Sequence, residues 1–316
     1  MTSTVPCLRR RWGHVAGCLL LAASTPAARA AADSIQERLG HPPGARLLMI
    51  HADDLGMAQS VNQASLEALE NGWVTSASLM VPCPWFPEVA RWAREHPDAD
   101  LGLHLTLNSE WNDLRWGPVS PVDEVASLLD EDGYLPKLTD AVAARARPAE
   151  AERELRAQIA RARAAGIRPT HFDTHMRALL TTPELVDVYR RLGRDNGVPV
   201  MLARAGGLPE GAVVPDPEIA VDGVLGVPAG LAPEQWSDAY RELLRPLGPG
   251  VYVLIVHLAT DDAEMRAATR GHVDFGSAWR QSDYDLVRDG GFRRFLRDEG
   301  FVLVGWRDLA RALAAD

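Results

Sequence analysis

Residues 47–57, LLMIHADDLGM, are the most informative part of the sequence, because an apolar run leads directly into two carboxylates and a glycine. Leu47–His51 has the composition of a short buried strand, and Asp53 and Asp54 follow it at once. Adjacent carboxylates repel each other and lose hydration on burial, and a divalent cation relieves both costs. The stretch therefore predicts a polar site at the C-terminal end of a buried strand.

Outward from this stretch, short apolar runs alternate with amphipathic runs of helical period. The predicted strands are Leu47–His51, Ser76–Val81, Leu101–Leu105, Thr170–Phe172, Val198–Leu202, Val251–Val256 and Phe301–Val304. The predicted helices are Ser60–Asn71, Pro87–Glu95, Ala149–Ala165, Pro183–Asn196, Pro233–Leu244, Asp285–Asp298 and Arg307–Ala315. This alternation is typical of a mainly parallel sheet covered by helices. We predict an α/β fold, an incomplete (β/α) barrel of about seven parallel strands.

Two stretches interrupt the alternation, Asn108–Pro148 and Ala203–Ala232, and both are rich in proline, glycine and acidic residues. We predict long loops over one face of the barrel, where substrate specificity commonly resides. There is no internal repeat and no shift in composition. Residues 46–316 are therefore predicted to form a single domain.

The first thirty residues are predicted to be a secretory signal peptide. Arg9–Arg11 precede the apolar run Val15–Ala23, and Ala28–Ala30 supply a small-residue cleavage site. Residues 31–45 would then be a mature lead-in without a packed element. The apolar run is too short to cross a bilayer, so we expect no stable membrane insertion. We expect an exported protein, periplasmic or secreted, by the general or the twin-arginine route.

The charge balance restricts the partners. Removal of the predicted peptide leaves 29 basic against 43 acidic residues, a net charge of about −14. Such a surface repels nucleic acid, whose binding needs Lys and Arg to neutralise phosphates, whereas neutral sugars remain acceptable. Cys83 would be the single remaining cysteine, so an internal disulfide is excluded. The oligomeric state is not indicated.

Four predicted strands end in carboxylates or imidazoles. Asp53 and Asp54 follow the first, and His104, His175 and His257 lie at the ends of three others. In parallel α/β folds these ends converge on the face that carries the active site. One carboxylate and two imidazoles form a common three-ligand metal site with a position open for water. We predict Asp54, His104 and His175 as the ligands of one divalent ion.

Each of these residues also has a plain structural interpretation. Asp53 to Gly56 has the composition of a turn or helix cap, and His104 alone is compatible with a core histidine bonded to a carbonyl. His171 shares a strand face with His175, and we interpret it as structural. The coincidence of four polar strand ends favours the functional interpretation.

Two further features leave alternatives open. Trp279, Arg280 and Asp283 form a cluster in a predicted loop, either a substrate contact or a surface turn with a helix cap. Asp173 is either a turn residue or a carboxylate that orients a histidine ligand.

At these positions the sequence resembles the YdjC-like family of carbohydrate deacetylases, which includes chitooligosaccharide deacetylase and the hopanoid-associated deacetylases. The resemblance runs from Leu47 to Trp306. It is carried by HADDLGM at 51–57, GWVTSASLM at 72–80, GLHL at 102–105 and THFDTH at 170–175.

The resemblance implies a barrel with fewer than eight strands and metal-assisted removal of acetyl groups from amino sugars, with Zn²⁺ or Mg²⁺ as the metal. It implies that Asp53 is the catalytic base, and that Asp54, His104 and His175 bind the metal. His257 corresponds to a late active-site histidine. In this interpretation it protonates the departing amine or steadies the oxyanion.

The sequence departs from the family at several places. His51 stands where many members have Asn, Leu55 where they have Phe, and Leu258 where they have Pro, and residues 176–179 lack a further histidine. These differences argue against a chito-oligosaccharide substrate but leave the metal triad intact. The alternatives are a metal-dependent O-acyl esterase or phosphoesterase, or a catalytically inactive secreted carbohydrate-binding protein.

Overall fold

The computed structural model describes residues 34–205, 207–215, 218 and 221–313. The predicted signal peptide, residues 1–30, lies outside this range. The described residues belong to one compact unit, as predicted. No helix within them combines the length and apolar composition needed to cross a bilayer.

All of the strands in the described residues pair in parallel within one sheet. They are β1 (Arg46–Leu55), β2 (Ser76–Leu79), β3 (Leu101–Leu105), β4 (Phe172–Thr174), β5 (Ala203–Ala205), β6 (Val221–Leu225), β7 (Gly250–Val256) and β8 (Phe301–Leu303). Seven strands follow the order β4-β3-β2-β1-β7-β6-β5, and β8 pairs with β1. An isolated bridge pairs Phe172 with Val200, just ahead of β5. The predicted incomplete barrel of about seven parallel strands is therefore confirmed.

Helices connect the strands. They are α1 (Ile35–Arg38), α2 (Gln59–Glu70), α3 (Phe86–Glu95), α4 (Thr139–Arg145), α5 (Pro148–Ala164), α6 (Pro183–Asn196), α7 (Trp236–Leu244), α8 (Ala263–Ala268), α9 (Ser277–Arg288), α10 (Gly290–Asp298) and α11 (Trp306–Leu313). Their ends follow local chemistry. Thr182 caps the start of α6, and Gly197, in the left-handed conformation, ends it.

β1 is central because both of its edges are paired and both of its faces are buried. Leu48 and Ile50 lie in the larger apolar cluster, whereas Leu47 and Met49 lie in a smaller one that includes Trp306. Successive side chains of a strand point to opposite faces, so His51 continues the face of Leu47 and Met49. Burial on both faces explains the continuous apolar run that predicts this strand.

Some predicted boundaries are wrong. β4 lies two residues later than the predicted strand Thr170–Phe172, and β5 follows rather than occupies Val198–Leu202. The predicted loop Ala203–Ala232 contains β5 and β6. Asp222 and Gly223 break the apolar pattern of β6, although Gly223 lies against the ring of Tyr252 in β7.

The other predicted loop and the last long helix also differ. Asn108–Pro148 contains two short 3-10 turns and α4. The single predicted helix Asp285–Asp298 is wrong, because α9 ends before Asp289, whose carboxylate caps α10. A short helix, α1, also forms in the predicted lead-in, where Ser34 and Glu37 make a capping box.

Gly102 lies so close to the ring of His171 that its replacement is expected to lower the stability of the protein. A Cβ added at Gly102 would overlap the ring of His171, whereas one at Gly226 would meet open space. Overpacking of this kind costs about 2–3 kcal/mol. We expect Gly102→Ala to lower the midpoint of thermal unfolding by roughly 5–10 °C. Scanning calorimetry would show Gly226→Ala within about 2 °C of wild type; equal midpoints for the two variants would refute the packing.

Candidate active site

The ends of β1, β3 and β4 bring the three predicted metal ligands together. Asp54 Oδ1 lies 3.5 Å from His104 Nε2 and 3.3 Å from His175 Nδ1. These three atoms lie within 4.8 Å of one another, and all three residues are buried. The arrangement is compact enough for one ion to contact all three.

The backbone at the end of β1 turns sharply to aim Asp54 at the two histidines. Asp54 has a φ of 69°, in the left-handed region, and Gly56 has a φ of 89°. Aspartate tolerates this conformation better than most residues, but it is still an uncommon one. Such conformations cluster at functional sites, where the surrounding structure holds them.

Each histidine of this group contacts a second carboxylate through the ring nitrogen that points away from Asp54. His104 Nδ1 lies 2.9 Å from Asp173 Oδ1, and His175 Nε2 lies 2.9 Å from Glu110 Oε2. Protons on these outer nitrogens leave the inner nitrogens, His104 Nε2 and His175 Nδ1, with lone pairs that face Asp54. Carboxylates in this position fix the tautomer and orientation of metal-binding histidines.

The electrostatic field of the site favours a cation. Burial opposes protonation of His175, but Glu110 and Asp54 outweigh it and raise its pKa to about 10. Burial likewise opposes protonation of His104, and Asp173 and Asp53 raise its pKa. Burial would raise the pKa of Asp54, but the Arg280 guanidinium and His175 hold it well below its usual value.

Asp53 lies beside the group and is in contact with three imidazoles. Its Oδ1 is 3.2 Å from His51 Nε2, and its Oδ2 is 3.8 Å from both His104 Nε2 and His257 Nε2. Asp53 is 7% exposed to solvent, so its carboxylate reaches the edge of the site. Asp53 therefore lies next to the group of Asp54, His104 and His175 without belonging to it.

Asp173 contacts two histidines from other strands, His51 and His104. Its Oδ2 accepts hydrogen bonds from Ser78 Oγ at 2.7 Å and from His51 Nε2 at 3.0 Å. Burial opposes protonation of His51, but Asp173 and Asp53 raise its pKa to about 10. Asp173 therefore anchors His51 and His104 in one buried network.

His257 directly follows β7 and faces Asp53. Burial lowers the pKa of its imidazole, and its backbone N–H donates to Asp283 Oδ2 at 2.8 Å. His171, in contrast, lies apart from the Asp54 group. Its ring stacks on Trp306 with 4.8 Å between centroids, and burial holds its pKa well below the usual value.

Other combinations of the same side chains are also close enough to hold an ion. They are His51 with His171 and Asp173, and Asp53 with His104 and Asp173. In the first, His51 already donates to Asp173. Asp54 Oδ1 is buried without a hydrogen-bond partner between two imidazole nitrogens, an environment that a bound cation would complete. Asp53 Oδ1 and Asp173 Oδ1 are also buried without a hydrogen-bond partner, so the Asp54 group is distinguished by its two facing imidazole nitrogens.

Trp279, Arg280 and Asp283 lie on α9 and are buried, so the interpretation as a surface turn is wrong. Arg280 donates from Nη2 to Asp54 Oδ2 at 2.7 Å. Asp283, whose pKa burial raises to about 6, accepts from the backbone of His257 and from Tyr240. The cluster supports the site through contacts with Asp54 and His257. The loop prediction is wrong because α9 begins at Ser277, ahead of the predicted helix start at Asp285.

The sequence did not indicate Glu110 or the contact of Arg280 with Asp54. Glu110 lies in the irregular segment after β3, where no periodicity marks it. Its one available signal was its position shortly after a strand that ends in a predicted ligand. The sequence indicates Arg280 only as part of a cluster, because its partner Asp54 lies 226 residues away.

A cavity of about 400 Å³ opens on Asp53, His104 and Asp173. Its other walls are mostly aliphatic side chains between Leu180 and Ile255 of the sequence, together with Thr174 and Arg177. This volume suits a sugar-sized ligand. A larger cavity, about 600 Å³, is lined by other residues, including Trp92 and Arg307, and contains none of the site residues.

Comparisons with known proteins agree with this picture. The model of the YdjC-like protein family matches residues 47–298. A carbohydrate deacetylase of Thermus thermophilus is 36% identical over 288 residues, covering 88% of this chain and 98% of that protein. A carbohydrate deacetylase of Geobacillus stearothermophilus is 38% identical over 130 residues, 41% of this chain and 49% of that one.

A similar solved structure is a putative cellobiose-phosphate cleavage protein from Enterococcus faecalis. It superposes with a TM-score of 0.67 at 23% identity and covers 84% of this chain and 99% of its own. At this identity the similarity shows the fold alone.

Proposed function

Because this chain belongs to the YdjC-like family, we propose that it is a metal-dependent carbohydrate deacetylase that removes acetyl groups from N-acetylated sugars. The observation that carries the proposal is the convergence of Asp54 Oδ1, His104 Nε2 and His175 Nδ1 beside a spare carboxylate, Asp53. The full-length similarity to a protein named carbohydrate deacetylase supports the substrate class.

The residues fit a divalent cation. One carboxylate and two neutral imidazoles are a donor set suited to zinc and related metals, and Mg²⁺ is the alternative. Asp54 Oδ1 is buried, lacks a hydrogen-bond partner and faces an imidazole nitrogen of His104 and of His175. The carboxylates of Asp173 and Glu110 hold the protons on the outer nitrogens of these two histidines. When bound, such a cation supplies Lewis acidity, which lowers the pKa of water and polarises an acyl oxygen.

The chain's own residues then divide the proton transfers. Asp53 accepts the proton of the attacking water, because its carboxylate reaches the edge of the site without being needed for the triad. His257 Nε2, 3.8 Å from Asp53 Oδ2, delivers a proton to the departing amine. Burial lowers the pKa of His257 and favours its neutral form, so the proton it delivers is the one that Asp53 takes from the water. Arg280 keeps Asp54 in place.

The experiment that tests this proposal is product analysis with purified protein and added Zn²⁺ or Mg²⁺. We expect acetate from N-acetylated mono- and oligosaccharides. Acetate from O-acetylated sugars alone would indicate an esterase, and phosphate from sugar phosphates a phosphoesterase. Saccharide binding without turnover would indicate a carbohydrate-binding protein. Each of these three outcomes contradicts the proposal.

Glu110 provides a prediction specific to this site. Removing the carboxylate behind a histidine ligand commonly costs 10- to 100-fold in metal affinity, so we expect Glu110→Ala to weaken metal binding by about that factor. Competition with a chromogenic chelator measures the change. Glu131→Ala, an exposed position in the same loop, is the control. Equal affinities for both variants would remove Glu110 from the site.

Export is a second part of the proposal. Expressed from its own Met1 in a Gram-negative host, the protein is expected in the periplasmic fraction with Ala31 as its first residue. Intact-mass analysis of that fraction checks the cleavage point. An uncleaved chain confined to the cytoplasm would contradict the prediction.

A further inference from the structure

Phe275 is an exposed aromatic residue at the edge of a buried catalytic centre. It lies between α8 and α9 and is 41% exposed, whereas Trp279 and Arg280 beside it are buried. Its ring stands nearly perpendicular to that of His257, with 5.0 Å between centroids. His257 in turn faces Asp53. The exposed ring is thus one residue removed from the proposed base.

The ring is the outermost member of a row of aromatics. Phe275 lies 4.7 Å from Trp279, and Trp279 lies 4.7 Å from Trp236, which is buried. The Trp236–Trp279 contact is edge-to-face, a favourable geometry for aromatic pairs, and the Phe275–Trp279 contact is tilted. One side of Phe275 is therefore backed by rigid rings, and the exposed part of the residue is left for a ligand.

The backbone at Phe275 is held in an unusual conformation. Its φ is 57°, in the left-handed region, where a bulky side chain is an outlier. Arg280 Nε donates to the Phe275 carbonyl at 2.7 Å, and Nη2 of the same guanidinium donates to Asp54 Oδ2. A single arginine therefore fixes both Phe275 and a proposed metal ligand, so their separation is constrained.

We propose that Phe275 is the platform on which the sugar ring stacks while its acetyl group is held at the catalytic centre; this rests on the proposed deacetylase function. The axial C–H face of a pyranose is apolar and flat, and it matches an aromatic ring without needing charge. Four carboxylates, Asp53, Asp54, Asp173 and Glu110, surround the centre, so a neutral ring is the compatible partner. The proposal gives Phe275 a role in binding the sugar and none in the proton transfers.

Two variants of Phe275 separate the contribution of a flat aromatic ring from that of an apolar side chain. Phe275→Leu keeps an apolar side chain against Trp279 but removes the ring, and Phe275→Tyr keeps the ring. Val273→Ala is the control, because Val273 is 85% exposed in the same loop. The substrate is the N-acetylated saccharide that wild type hydrolyses fastest, assayed with the metal that supports the highest rate.

We expect Phe275→Leu to raise KM about tenfold with kcat within about twofold, since stacking contributes equally to the ground and transition states. Phe275→Tyr and Val273→Ala stay near wild type. Calorimetric titration of the same saccharide into the Asp53→Asn protein, with and without Phe275→Leu, gives the matching loss in binding without turnover. Metal content is unchanged in every Phe275 variant.

Three results would overturn the inference. They are an unchanged KM in Phe275→Leu, an equal rise in KM in Phe275→Tyr, or a loss of kcat and metal with no change in saccharide binding, which marks a purely structural role. Failure of the deacetylase proposal is distinguishable, because wild type itself would then release no acetate from any saccharide.

Discussion

Replacing Asp53 with asparagine is expected to abolish acetate release while the protein still binds one divalent ion. The amide keeps the size of the carboxylate, but it cannot accept the proton of water. Loss of a general base typically lowers kcat by about 10²- to 10⁴-fold. Asp53 is not needed for the group formed by Asp54, His104 and His175, so the metal is retained. Steady-state kinetics and elemental analysis of the same preparation measure both quantities.

Asp113→Asn serves as the control for this experiment. Asp113 is an exposed carboxylate in the segment after β3, where it pairs with Arg270, and we expect wild-type kinetics from this variant. Near-normal turnover in Asp53→Asn would show that Asp53 is not the base. Loss of the metal would instead show that Asp53 is a ligand.

Removing either imidazole of the triad is expected to abolish both metal binding and turnover. His104→Ala and His175→Ala each take away one of three ligands and leave Asp54 buried with less compensation. We expect less than about a tenth of the wild-type metal content after dialysis, and no detectable acetate release. Chelator treatment of wild type should cause the same loss of activity, and added Zn²⁺ or Mg²⁺ should restore it.

His171→Ala is the informative comparison, because His171 belongs to the same six-residue motif as His175. Its ring stacks on Trp306 and does not belong to the group of Asp54, His104 and His175. We expect this variant to be less stable but to keep its metal. Loss of the metal in His171→Ala together with its retention in His175→Ala would contradict the assignment of His175 as the ligand.

Several features of the site follow from sequence because parallel strands share one direction. Residues at the ends of β1, β3 and β4 must reach the same edge, so the sequence alone predicts that Asp54, His104 and His175 meet. β1 was the clearest strand because both of its faces are buried. The separation of His171 from His175 also follows from where β4 ends.

Other features depend on contacts that no local pattern reports. Glu110 reaches His175 from an irregular segment, and Arg280 reaches Asp54 from a distant helix. β6 was missed because Asp222 and Gly223 interrupt its apolar run, although pairing with β7 stabilises it. The supporting residues of the site were therefore less predictable than its central ligands.

Anomalous diffraction from crystals grown with Zn²⁺ would locate the proposed metal ion. We expect one anomalous peak enclosed by Asp54 Oδ1, His104 Nε2 and His175 Nδ1, with Asp53 beside it and not bound. A peak centred elsewhere, or no peak in protein that hydrolyses N-acetylated sugars, would contradict this assignment.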